Sequence, residues 1–260
     1  MEENILICED CLEGIFTAVY VAYEKHYIPE KTAIQISKEE NLRLFASYEY
    51  VETNRDKSEK VIRTLQRRFG DEGFLIFCYA LASTDGEKAT VVYRTLAKGL
   101  KLSNPDRIFD RHADYAVNRV LKLRLNVWHE THHFYGFVRF RELENGILFS
   151  EIHPKNDVLV FLAEHFADRF PQEHFLIYDT GRKVFAVHEA NKNWFLVKNP
   201  EFEREILVES RKEVLYQELF RHFCHKISIK ERQNIELQKG MLPLRFRPYM
   251  TEFKNLKSNE

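Results

Sequence analysis

Four short strings hold side chains whose types and spacing could do chemistry. In "HETHH", His129, Glu130 and His133 match H-E-x-x-H, a pattern in which two histidines four apart hold zinc and the glutamate acts as base. Such histidines lie mid-helix with a third ligand further on, whereas this helix is expected to end at His133 and an alternating run follows at once. A structural or anion-binding role for His129, His132 and His133 is therefore preferred, and no metal or cofactor is assigned. In "CEDC", Cys8 and Cys11 could share a metal or close a reversible disulfide, since a helix N-terminus favours the thiolate. Cys78 and Cys224 are isolated and no second paired motif exists, so packing of two small apolar side chains is the preferred account. In "IYDTGR", Asp179 and Arg182 bracket a tight turn, where the aspartate caps backbone amides or, with the arginine, holds a substrate group. In "LRFRPY", Arg245 and Arg247 flank Phe246, a pattern suited to backbone contact plus base stacking, or to a protein partner.

The elements that must position these groups are legible from periodicity. A strand at Ile5–Cys8 leads into a helix from about Leu12 to Lys25, with Asp10 and Glu13 as its capping pair. Extended runs "AIQIS" and "LFASYEYVET" follow, then helices over about 55–69, 71–81 and 86–100, the last stopped by "SNPD". The helix over about 111–132 places Ala113, Ala116, Val117, Val120, Leu121, Leu123, Val127 and Trp128 on one face. Arg111, Tyr115, Asn118, Arg119, Lys122, Asn126 and His129 fall opposite, a stripe able to hydrogen-bond phosphates and sugars, or simply a solvated face. Arg124 lies among the apolar positions and needs a buried partner or a path outward.

The period then changes to two in "HFYGFVRFREL" and "GILFSEIH", joined by "ENG". A helix over about 157–169, capped by Asn156 or Asp157, precedes the meander "HFLIYD", "KVFAVHE", "NWFLVKN". Helices over about 211–226 and 229–238 and an irregular tail complete the chain. This predicts an α+β fold, an antiparallel or mixed sheet covered by helices, with helical N- and C-terminal parts. It reads as one domain over 1–260, with subdivisions at 1–104, 105–200 and 201–260.

With 260 residues, 44% of them hydrophobic, the chain has ample material for a core without disulfide staples, and four cysteines suit a reducing, cytoplasmic compartment. No apolar run approaches the roughly 18–20 residues of a membrane span. The net charge of −1 conceals segregation: residues 88–141 carry 11 Lys and Arg against 4 Asp and Glu, while residues 1–87 carry 10 against 17. The basic centre either forms a phosphate-attracting patch or pairs with the acidic N-terminal block. No P-loop, dinucleotide-binding glycine fingerprint, nucleophile elbow or three-cysteine cluster motif occurs, which argues against autonomous nucleotide hydrolysis and iron–sulfur chemistry within the chain.

The strings "CEDCLEGIFTAVYVAYE", "HHFYGFVRF", "ILFSEIHPKNDVL", "HFADRFPQEHFLIYDTGR" and "ISIKERQNIELQKGMLPLRFRPYM" span most of the chain, and together they resemble a bacterial family described as DNA metabolism proteins. The resemblance implies an accessory role in DNA repair or modification. Members are encoded beside a radical-SAM protein carrying a helix-hairpin-helix element, and related domains occur fused to a uracil-DNA-glycosylase-like domain. It supplies no established catalytic residues. The expected function is a DNA-binding or adaptor protein working with that radical-SAM partner through Arg111, Arg119, Lys122, His129, Arg139, Arg182, Arg245 and Arg247. The alternative is a hydrolase or glycosylase-like enzyme using His132, His133 and Asp179, and a purely protein-binding scaffold is the third possibility.

Overall fold

The computed structural model describes residues 3–36, 43–198, 201–202, 207–228 and 234–253, in two compact units, 1–129 and 130–260. The mixed α/β composition matches the expected class. In the first unit β1 (Glu3–Ile7) pairs in parallel with both β2 (Thr32–Gln35) and β3 (Ala46–Tyr50), in the order β2-β1-β3. Parallel neighbours need a crossover, and α1 (Leu12–Glu24) supplies the one between β1 and β2. This parallel βαβ context was not anticipated from the sequence, because each strand was legible but its partner was not.

Cys11, rather than Asp10, caps α1: its backbone is extended and its Sγ accepts the Gly14 amide at 3.3 Å. Cys8 is buried beyond the end of β1, and burial, helped by Cys11 and Asp10, pushes its thiol up to about 12. A thiol held that high carries almost no thiolate at neutral pH, so packing and capping account for the pair. Among the described residues no group of three or more His, Cys, Asp and Glu could hold a metal.

Helix α2 (Arg55–Leu81) is interrupted where Gly70 takes φ 70°, ψ 177°, so its two halves correspond to the two helices expected there. With α3 (Lys88–Gly99) it packs around a core that includes Phe16, Leu65, Phe77, Leu96 and Ile108. Helix α4 (Tyr115–Phe137) starts four residues later than its periodicity suggested. Pro105 opens a 3₁₀ turn over Pro105–Asp110, and Asp114 then accepts the Ala116 and Val117 amides at 3.0 and 3.4 Å, fixing the helix start. Burial raises the Asp114 carboxyl, but hydrogen bonds from Lys98 and those two amides outweigh it and hold the group below its usual range.

Helix α4 also runs on through "HFYGF", read from alternation as strand. Phe134 and Phe137, one helical turn apart, both meet Phe246, with ring centroids at 4.8 and 5.1 Å, so helical spacing is what packs them. The strand that follows is reduced to β4 (Arg141–Glu142). The second unit's sheet has the order β4-β5-β6-β7-β8, with β5 (Leu148–Ile152), β6 (Phe175–Asp179), β7 (Val184–His188) and β8 (Phe195–Lys198). Strands β6, β7 and β8 form the expected antiparallel meander, and β5 pairs antiparallel with β4 and parallel with β6. Helix α5 (Leu159–Arg169) connects that parallel pair. Its cap is Val158, without a side-chain bond, rather than Asn156 or Asp157; Asn156 lies two residues earlier and donates Nδ2 to Glu130. Helices α6 (Arg211–Ile227) and α7 (Ile235–Met241) and two 3₁₀ turns, Leu244–Tyr249 and Thr251–Phe253, follow. The expected helix over 229–238 falls partly outside the described residues. No helix among the described residues is long and apolar enough to cross a membrane.

Candidate functional site

Because β5 and β6 run parallel, the loops over 153–158 and 180–183 leave the sheet at the same edge, the edge where open α/β sheets place ligands. The first loop, "HPKND", is held from two sides. Glu130 of α4, only 3% exposed, accepts the Lys155 and Asn156 amides at 2.9 Å each and Asn156 Nδ2 at 2.7 Å. Arg245 Nη1 completes its shell at 3.1 Å. Opposite, Arg182 donates to the Pro154 and Lys155 carbonyls at 3.3 and 2.9 Å. Arg182 also pairs with Asp179 at 3.0 Å, and the fully buried Asp179 accepts the Gly181 and Arg182 amides at 2.9 and 3.1 Å. Two buried carboxylates therefore fix backbone with charge-assisted hydrogen bonds. Outside this frame His153 and Lys155 are exposed, His153 meeting Thr180 Oγ1 at 2.9 Å, which leaves a rim of donors able to receive an anionic group.

The residues singled out from sequence are dispersed by this architecture. Asp179 serves the turn and Arg182. His132 is exposed and lies edge-on to Tyr135, while His133 is half-buried against Phe137 and Phe246. His129 is exposed beside Trp128, and Arg124 lies over the Trp128 ring at 5.9 Å, a half-buried resting place for its charge. Arg119 pairs with Asp85 and lies 3.8 Å from Glu87, and Lys88 pairs with Asp10 at 2.6 Å, so these two cations of the basic centre meet the acidic N-terminal block. Arg139 pairs with Glu252 at 3.0 Å, and Arg245 with Glu130. Arg247 lies over Phe253 and donates to Gln238 at 3.4 Å. Arg111 and Lys122 are exposed.

A second feature of this unit is the way α6 faces. Its inner side is polar: Gln217, 8% exposed, donates to Glu209 at 3.1 Å and to Glu213 at 2.7 Å. Glu213 accepts the Glu142 amide at 3.1 Å, and Glu209 pairs with Arg141 at 2.8 Å. Its outer side is apolar, with Leu215, Tyr216, Leu219, Phe223 and Ile227 each 56–66% exposed and Phe220 40% exposed. At 100° per residue these six fall within one arc. Contiguous apolar surface of this kind marks interaction sites in soluble proteins.

The family model of a domain of unknown function, DUF4130, matches residues 86–252, more than half of the chain. The chain belongs to the DUF4130 family. Comparison with curated proteins gives no match. The DUF4130 match takes in α4, the five-stranded sheet, the carboxylate-held loop and α6, and it excludes the Cys8 and Cys11 pair. Three features of the DUF4130 unit escaped the sequence reading: Glu130 and Asn156 as loop anchors, Lys155 on the rim, and the outward face of α6. For α6 the signal was present in the spacing of Leu215, Leu219 and Phe223. For Glu130 it was not, since a lone glutamate on a helix gives no hint of a loop about 25 residues away.

Proposed function

We propose that this DUF4130 protein is an accessory protein of DNA metabolism, in repair or modification, that works by docking a protein partner onto the apolar face of α6. The observation that carries the docking part is the inverted orientation of that helix, polar inward and apolar outward, because large aromatic and aliphatic groups held in water are stabilised only when a partner covers them. The resemblance supplies the process and the partner class, a radical-SAM protein with a helix-hairpin-helix element. Direct DNA contact is the smaller part of the reading. Arg119, Arg139, Arg182 and Arg245 already face carboxylates, so phosphate contact falls to Arg111 and Lys122 in the first unit and to Lys155 in the second.

Co-purification with the radical-SAM protein tests the docking. Leu219→Glu/Phe223→Glu should abolish co-elution while leaving the melting midpoint unchanged; co-elution that survives the double change removes α6 from the reading. Fluorescence anisotropy on labelled single-stranded and duplex DNA, with and without the partner, tests the second part. Salt-sensitive binding that weakens in Lys122→Ala supports direct contact, and no binding at low salt leaves the partner as the bridge to DNA.

A further inference from the structure

In the second unit a cavity of about 460 Å³ is lined by Glu164 and Asp168 of α5 and by His188, Lys192, Asn193 and Trp194 from the end of β7 and the turn before β8. His188 is 3% exposed, its ring stacked on Phe175 at 4.7 Å, and its Nδ1 lies 2.9 Å from the Glu173 carbonyl. A carbonyl only accepts, so Nδ1 carries a proton, and in that tautomer Nε2 is the acceptor. No donor among the described residues reaches it. The ring is otherwise buried, so this nitrogen is the part of His188 that opens to the cavity, where a ligand donor can reach it.

The remaining lining says which kind of donor. Glu164 accepts Trp194 Nε1 through one oxygen at 2.7 Å, leaving the other oxygen open. Asp168 is exposed and has no ion pair among the described residues, and Lys192, the cation of the set, is paired with Glu189. The cavity thus offers acceptors and negative charge with an indole alongside, which repels phosphate and suits a planar cation carrying several N–H donors. We infer that it is a binding site for a guanidinium group, either a free small molecule or the arginine side chain of a peptide.

The test uses the full chain carrying Trp128→Phe, so that Trp194 is the remaining tryptophan, titrated with agmatine, an arginine-containing tripeptide, the matching lysine tripeptide and adenosine. A saturable fluorescence change with the guanidinium probes, about tenfold weaker in Glu164→Gln or Asp168→Asn, supports the site. Tighter binding of the tripeptide than of agmatine assigns it to arginine within a chain, and the reverse to a small molecule. No saturable change, or equal affinity for the lysine tripeptide or adenosine, overturns it. Both carboxylates are exposed, so these variants keep the fold; a melting curve of each verifies that.

Discussion

Helices α4 and α6 are both amphipathic in sequence, yet they bury opposite kinds of face. Along its first part α4 buries Ala116, Val117, Val120 and Leu123 in the first unit's core, and its polar stripe faces outward with Arg119 tied to Asp85. In the second unit α6 buries Gln217 among Glu209 and Glu213, and Leu219 and Phe223 face water. Periodicity reports that a helix has an apolar face; it does not report which neighbour that face meets. An apolar face turned inward stabilises its own unit, and one turned outward leaves that stabilisation for an association.

The sharpest way to break this contrast is at the buried polar anchors. Glu130→Ala removes the acceptor for two loop amides, the Asn156 side chain and Arg245, and should destabilise the second unit by about 3–5 kcal/mol in chemical denaturation. A loss below about 1 kcal/mol would show that the loop is not held by this carboxylate. Next in size is a matched pair. Leu123→Ala on α4 should cost about 3 kcal/mol, whereas Leu219→Ala on α6 should stay within about 0.5 kcal/mol and reduce partner binding instead. Equal costs would mean that α6 is buried in solution.

The smallest effect is a slope with pH. His165 lies face to face with Tyr135 of α4 at 3.9 Å, and burial, followed by the Arg169 charge, lowers its pKa below 6.5. The unfolded chain therefore takes up that proton first as pH falls, so stability is level above about pH 6.5, declines from there down to the folded value, and is level again below that value. His165→Gln should flatten that part of a melting-midpoint profile, and an unchanged slope would assign it to other groups.

Much of the fold was legible because local physics repeats. The Gly70 break, the end of α3 before "SNPD", and the meander of β6, β7 and β8 all follow from residues acting on their own neighbourhood. The misreadings came from distant partners. "HFYGF" alternates like a strand, but Phe246, more than a hundred residues on, selects the helical spacing of Phe134 and Phe137. Asn156 carries a capping side chain, but the helix is capped two residues on at Val158, and Asn156 donates instead to Glu130, 26 residues back.

The sequence by itself determined most element positions and the turn chemistry of Asp179, which depend on spacing within about a dozen residues, and the α+β class and charge segregation, which need only the order and composition of segments. Only the tertiary structure decided that β1, β2 and β3 are parallel, that Arg119, Arg139, Arg182 and Arg245 face carboxylates, and that α6 presents its apolar side to water. The reason is physical: a side chain's energy is set by what surrounds it, and those surroundings are assembled from segments far apart along the chain.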